Sequence, residues 1–346
     1  MIASDKLYPM KFAPIFLDRI WGGDMITQVL GRQVPHAVHK VGELWEISDR
    51  PEADSIIANG PLAGDSLHNI ATYYGADLLG RKCREKRFPL LVKILDCGSK
   101  LSLQVHPGEE FCRRHDPTAE PKAEMWYILA HTPKAEVMAG LNSKATKQQF
   151  LDTLHSVEVE KIMQRYDSRT GDAYFIPAGT LHAIGGGNLI LEIQQNSDTT
   201  YRASDWGRID INGKPRRLDE EKAIQAADFT SRVSTRIPMA RGQGNFNRKL
   251  PLINRCPAFN VELIAIASTW REDTVPDESF HLLSAINCPL AVTLEADANC
   301  ITPEQLKIRI EIGETALIPA NYGVYYVNPL TGADNSEECR FLKTTL

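Results

Sequence analysis

Gly171-Asp172-Ala173-Tyr174-Phe175-Ile176-Pro177-Ala178 returns 142 residues later as Gly313-Glu314-Thr315-Ala316-Leu317-Ile318-Pro319-Ala320. Each copy is a turn glycine, an acidic residue, a short apolar strand and a proline-ended turn. One supersecondary element repeated at a domain-sized offset predicts two similar β modules; a solenoid would repeat over a far shorter period. Most remaining segments are short runs of Val, Ile, Leu and aromatics bounded by Gly, Pro, Asn and Asp, which predicts antiparallel barrels of jelly-roll type. Helices are expected only at Ser66 to Leu79, at Thr146 to Tyr166 with Phe150, Leu151, Leu154 and Ile162 as its apolar positions, and at Asp219 to Asp228 with Asp219 as cap. The chain therefore reads as all-β with minor helices. The first module is expected over residues 1–240 with a helical insertion at about 143–167, the second over 245–346, and the connector at Arg232 to Asn247.

A second pattern bears on chemistry. In Leu101-Ser102-Leu103-Gln104-Val105-His106-Pro107, strand alternation points Ser102, Gln104 and His106 one way and Leu101, Leu103 and Val105 the other. The next apolar strand, Lys122-Ala123-Glu124-Met125-Trp126-Tyr127-Ile128-Leu129, puts Lys122 and Glu124 on a common face, and His182 follows in Ile176-Pro177-Ala178-Gly179-Thr180-Leu181-His182. Taken singly, Gln104 and His106 suit a solvent-facing strand edge, and His182 could cap a turn. Together, three separate segments each supply a metal-capable residue against an apolar background, where unpaired polar groups are costly. An amide oxygen, two imidazoles and a carboxylate predict a divalent metal, most naturally a single Zn²⁺, with room left for water. The repeat offset carries His182 onto Val324, so the second module is expected to lack the site and to be structural.

At 346 residues, 43% of them hydrophobic, the chain can fill two cores of ordinary size. A net charge of -5 and a pI near 6.0 leave no electrostatic footprint for nucleic acid or an anionic membrane, so an anionic ligand must be met by local cations. The densest basic run, Arg81, Lys82, Arg84, Lys86 and Arg87, is interrupted by Glu85 and reads as a solvated connector into the strand Leu90-Leu91-Val92-Lys93-Ile94-Leu95. Lys93 is anomalous there, because a buried lysine is expensive unless paired; a phosphate ligand would explain it, and snorkelling to the surface is the alternative. Residues 1–14 lack the apolar core of a signal peptide and no stretch approaches the length of a membrane span, so a cytoplasmic location is expected. Seven cysteines without a Cys-x-x-Cys pair predict reduced thiols, with neither a disulfide framework nor a zinc knuckle.

Three motifs coincide: Leu-Ser-Leu-Gln-Val-His-Pro at 101–107, Pro-Lys-Ala-Glu at 121–124 and Pro-Ala-Gly-Thr-Leu-His-Ala at 177–183. Asp198-Thr199-Thr200-Tyr201-Arg202-Ala203-Ser204-Asp205-Trp206-Gly207-Arg208 follows, and Arg19-Ile20-Trp21-Gly22-Gly23 and Gly42-Glu43-Leu44-Trp45-Glu46-Ile47-Ser48 precede. With these, the chain closely resembles the type I mannose-6-phosphate isomerases in their compact bacterial form, over most of residues 9–208. The resemblance implies two cupin modules, the first catalytic and the second degenerate. It also implies zinc held by Gln104, His106, Glu124 and His182, and interconversion of D-mannose 6-phosphate and D-fructose 6-phosphate. Arg202 matches the family's catalytic arginine, and Ser102 and Arg208 join Lys93 as phosphate-binding candidates. Ala123 departs from the Pro-Lys-Pro-Glu of many members, which alters backbone stiffness. The larger helical domain of longer members is reduced here to the one insertion.

An aldose–ketose isomerase needs a proton carrier and a way to stabilise an enediolate. Arg202 is expected to serve the second need, unless a salt bridge with Asp198 or Asp205 claims it. Lys122 should project toward the metal cavity, where burial and Zn²⁺ would lower its pKa and make it a proton carrier; alternatively it holds a substrate hydroxyl. A non-catalytic metal- or sugar-binding cupin sensor would need neither residue. An iron oxygenase favours two His and one carboxylate, against which Gln104 argues. The expected partner is a small sugar phosphate, and the chain a monomer or weak homo-oligomer.

Overall fold

Short strands with one apolar face must bury that face against another layer, and this chain does so by forming two double-sheet modules of the same plan. The structure, a computed structural model, describes residues 7–209, 213–230, 236–237, 247–294, 307–330 and 338–346. In the first module the strands, in chain order, are Leu90–Cys97, Leu103–Val105, Glu124–His131, Glu136–Leu141, Met163–Asp167, Ala173–Ile176, His182–Ile184 and Asn188–Gln195. Numbered along the chain, they pair side by side as 1-8-3-6 in one sheet and 2-7-4-5 in the other. The second module runs Asn260–Ile266, Trp270–Asp273, His281–Ala285, Leu290–Leu294, Lys307–Ile310, Thr315–Ile318, Val324–Pro329 and Cys339–Thr345, and pairs in the identical order. Two Greek keys in two facing sheets make each a jelly roll. The repeated segment supplies the sixth strand of both: Ile176 lies opposite Glu124 and Ile318 opposite His281.

The described residues divide into two compact units, one drawn from Phe16–Trp45 and Lys93–Met239, the other from Met1–Ile15, Glu46–Val92 and Ala240–Leu346. The linear division expected at residues 240–245 differs from this for the two amino-terminal stretches that pack with the second module. Backbone pairing and apolar packing hold them there. Met10 and Leu317 exchange hydrogen bonds of 2.8 and 2.9 Å, the Ala320 N–H donates to the Leu78 carbonyl at 3.0 Å, and Phe88 packs on Phe280 with ring centroids 4.6 Å apart. Most of the expected connector, Arg232 to Asn247, lies outside the described residues.

The expected helices are present but shorter. Ser66 caps Leu67–Tyr74 by accepting from the Asn69 N–H, and Gly75, at φ +49°, separates it from Ala76–Leu79. Thr146 and Gln149 form a capping box for Lys147–Thr153. The long helix expected to Tyr166 instead ends with the short turn Val159–Ile162, because Met163–Asp167 pairs with Glu136–Leu141 as a sheet strand. The region expected as a helical insertion therefore contains the fifth strand of the barrel. Leu103 and Val105 pack with Phe150, Leu154, Met163 and Ala223, which turns the opposite, polar face of their strand inward. No described helix is long and apolar enough to cross a membrane.

Cys288 and Cys339 are bonded as a disulfide with Cα atoms 5.5 Å apart, whereas Cys83, Cys97, Cys112 and Cys256 are free thiols. The expectation of reduced thiols throughout is corrected for this pair: antiparallel pairing of His281–Ala285 with Cys339–Thr345 brings two cysteines distant in sequence to one end of the second module. Cys300 lies outside the described residues.

Candidate active site

Antiparallel register does most of the assembly. Gln104 lies opposite His182 on one side and opposite Arg202, of strand Tyr201–Ser204, on the other, so the three share one row across three strands. Directly opposed side chains on a sheet face stand about 5 Å apart. His106 follows at the strand's end, where the Gly179 N–H donates to its carbonyl at 2.8 Å and the Lys122 N–H donates to the Pro107 carbonyl at 3.0 Å. Glu124 enters from the facing sheet. The Ala123 N–H, which proline would lack, donates to Gln195 Oε1 at 2.8 Å, so this departure from the familiar motif gains a hydrogen bond.

The imidazoles are fixed in one orientation. His106 Nδ1 lies 2.9 Å from the Thr199 carbonyl and His182 Nδ1 lies 2.8 Å from the Thr180 carbonyl, so each donates from Nδ1 and turns its Nε2 lone pair to the centre. Burial, then Lys122, pushes the His106 pKa down to about 3, and burial lowers that of His182; both rings are neutral. Burial opposes the charge on Glu124, but the Lys122 ammonium beside it holds its carboxyl well below the usual range.

His106 Nε2 is 3.2 Å from Glu124 Oε2, and His182 Nε2 is 3.4 Å from Glu124 Oε1. A tetrahedral ion with bonds of about 2.1 Å separates adjacent donors by roughly 3.4 Å. His106 Nε2 and Glu124 Oε1 are buried without a hydrogen-bond partner, the state expected of ligand atoms, and Glu124 Oε2 meets the Lys122 ammonium. His106, Glu124 and His182 are the only such cluster among the described residues. Gln104 Nε2 lies 3.2 Å from His182 Nε2, so a half-turn of the amide presents its oxygen to the same centre, and Ser102 Oγ lies 3.2 Å from Gln104 Oε1. The donor set fits a divalent metal.

A cavity of about 300 Å³ adjoins this centre through Gln104 and Lys122 and is lined also by Ser102, Arg202, Arg19, Trp21, Glu43, Lys93, Glu192, Asp198, Thr200 and Arg216, while His106, Glu124 and His182 stand behind its wall, outside the lining. That is ample for a small molecule. Lys122 Nζ sits 2.9 Å from Glu124 Oε2. Burial works against its charge, yet Glu124 and Glu192 raise its pKa well above the usual lysine value, the reverse of the expected depression. Arg202 Nη1 donates to the Arg217 carbonyl at 3.0 Å and its Nε is buried without a partner. Among the described residues neither Asp198 nor Asp205 pairs with Arg202.

Lys93 does line the cavity, but its ammonium is held 3.6 Å from Glu43 and 3.7 Å from Glu192, over the Trp45 ring at 4.9 Å. At 4% exposure it does not snorkel. Its burial is explained by two carboxylates of the protein, which leaves the expected phosphate role without support. Lys93→Met leaves Glu192 without its cation while Glu43 keeps Arg19; the expected loss is roughly 3 kcal/mol, read from the urea midpoint. Arg208 is absent from the cavity lining and instead borders a separate groove with His155, Val157 and Trp206. Its guanidinium donates to the Lys100 carbonyl and to Asp205.

Sequence reading missed Glu43, Glu192 and Arg216. Glu192 carried the same signal as Lys93, a lone charge in the apolar run Asn188-Leu189-Ile190-Leu191-Glu192-Ile193. Burial, then repulsion from Glu124, raises its pKa to about 7. Glu43 is held at about 2: burial opposes its charge, but Lys93 and Arg19 prevail.

The matching place in the second module is filled. Tyr325, one residue past the expected Val324, is the inward residue there, fully buried and opposite Glu272. Its hydroxyl meets His281 Nδ1 at 2.8 Å, and Lys343 lies 2.9 and 3.0 Å from Glu262 and Glu272.

The family model for the catalytic domain of type I phosphomannose isomerase matches residues 10–119. The chain is 36% identical over 238 residues to the probable mannose-6-phosphate isomerase GmuF of Bacillus subtilis, covering 69% of this chain and 74% of that one. It is 37% identical over 223 residues to the mannose-6-phosphate isomerase ManA of Bacillus subtilis, covering 64% and 69%. The crystal structure of a mannose 6-phosphate isomerase from Bacillus subtilis superposes with a TM-score of 0.82 at 28% identity, over 98% of this chain and 100% of that one. A putative mannosephosphate isomerase from Archaeoglobus fulgidus shares the fold, with a TM-score of 0.72 at 18% identity over 99% of each chain. This chain belongs to the family of type I mannose-6-phosphate isomerases.

Proposed function

We propose that the chain is a zinc-dependent aldose–ketose isomerase that interconverts D-mannose 6-phosphate and D-fructose 6-phosphate through an enediolate, in the cytoplasm where sugar phosphates are retained. The observation that carries this reading is the convergence of His106, Glu124 and His182 with Gln104 and Arg202, the last two lining the adjoining cavity. The metal held by those four residues would act as a Lewis acid toward the substrate's oxygens.

The rest falls to the chain itself. The isomerisation moves a proton from C2 of the open-chain aldose to C1, while the C2 hydroxyl loses a proton and the C1 carbonyl oxygen gains one. Glu192 is the proton carrier we assign, a cavity carboxylate that burial keeps near neutrality and that Trp126 Nε1 orients with a 3.1 Å hydrogen bond. Arg202 offers its unpartnered Nε–H to the enediolate oxygens as charge develops. Lys122 is placed to donate to a substrate hydroxyl, and Ser102 orients the Gln104 amide. The carboxy-terminal jelly roll is assigned a structural role, its inner positions being occupied by paired side chains.

A coupled assay for fructose 6-phosphate formed from mannose 6-phosphate, before and after chelation, tests the reading. Turnover should vanish with chelation and return with zinc. Arg202→Ala should lower kcat roughly 10²- to 10³-fold. A sensor would show sugar binding with no turnover at all.

A further inference from the structure

The cavity's cations divide into those already neutralised and those that are not. Lys93 lies between Glu43 and Glu192, Arg19 Nε lies 2.8 Å from Glu43, and Lys122 is paired with Glu124. Arg202 and Arg216 remain. Arg216 touches one carboxylate, Asp205, through Nε at 2.8 Å and through Nη2, but Arg208 uses the same carboxylate. Asp205 is 5% exposed, so a buried single negative charge orients two guanidiniums and cannot offset both.

The two arginines are spent differently. Arg208 donates from Nε and Nη2 to Asp205 and from Nη1 to the Lys100 carbonyl, and it does not reach the cavity. Arg216 lines the cavity, and among the described residues its Nη1 has no partner. We infer that Arg216, clamped by Asp205, is the principal binding residue for the phosphate of the substrate, with Arg208 serving as the structural brace. Arg202 lines the same cavity and adds to its positive potential while its Nε–H serves the enediolate, so the direct phosphate contact falls to Arg216. The identity of that anion as a sugar phosphate rests on the isomerase reading.

Titration of the metal-loaded full chain with inorganic phosphate, followed by calorimetry, separates the two ideas. Arg216→Gln should weaken phosphate roughly 10- to 100-fold and raise KM for mannose 6-phosphate by a similar factor, with kcat changed by less than about 3-fold. Arg216→Lys should recover part of the affinity. Arg208→Gln should lower the Tm and weaken phosphate less than Arg216→Gln does, because it leaves Asp205 to Arg216 alone but keeps the phosphate contact. Unaltered phosphate affinity in Arg216→Gln, or a greater loss in Arg208→Gln, overturns the assignment. If wild-type protein binds phosphate through Arg216 yet turns over no mannose 6-phosphate, the isomerase reading fails and the anion site stands.

Discussion

His182→Ala is expected to lose its metal and, with it, at least about 10³-fold in turnover, because the ring supplies a donor that no neighbour can replace. His182 is fully buried between Gln104 and Ala139, and its Nδ1 is committed to the Thr180 carbonyl. The variant also leaves Glu124 Oε1 facing a void, so the carboxylate and Lys122 should collapse into a simple ion pair. Metal analysis after dialysis checks the first claim and the coupled assay the second. Val324→Ala, in the second jelly roll, should leave metal content and turnover at wild-type levels. Full metal occupancy in His182→Ala would remove the basis for the site.

The second large effect is expected from Glu192→Gln. The amide is nearly isosteric and can still accept from Trp126 Nε1, so folding should survive, while kcat falls roughly 10²- to 10⁴-fold. The sign of the pH dependence follows from the raised carboxyl. A base must be ionised to accept the C2 proton, so wild-type activity should be present above a pKa of about 7 and decline as pH falls through it. Metal bound to Glu124 offsets the charge that repels Glu192, which moves this limb toward lower pH without changing its direction. The limb should be missing from the variant's kcat/KM profile. A variant with near wild-type kcat would place the proton carrier elsewhere.

The elements legible in the sequence were those governed by local rules. Period-two alternation over Leu101 to Pro107 identified which side chains share a face, and the repeated glycine-to-proline segment marked the sixth strand of two modules. The helical reading of Met163–Asp167 went wrong because apolar spacing there suits both periods, and only pairing with Glu136–Leu141 decided between them. Val324 gave way to Tyr325 because a one-residue change in a turn exchanges the two faces of a strand.

By itself the sequence determined the residue types of the metal set and the doubling of the β module, since both are written in spacing along single strands. Only the tertiary structure decided the fate of the charges: that Lys93 belongs to Glu43 and Glu192, that Arg208 and Arg216 share the one Asp205 carboxylate, and that Arg216 and Arg202 line the cavity. An ion pair depends on distances between side chains far apart in the chain, and no local pattern encodes those.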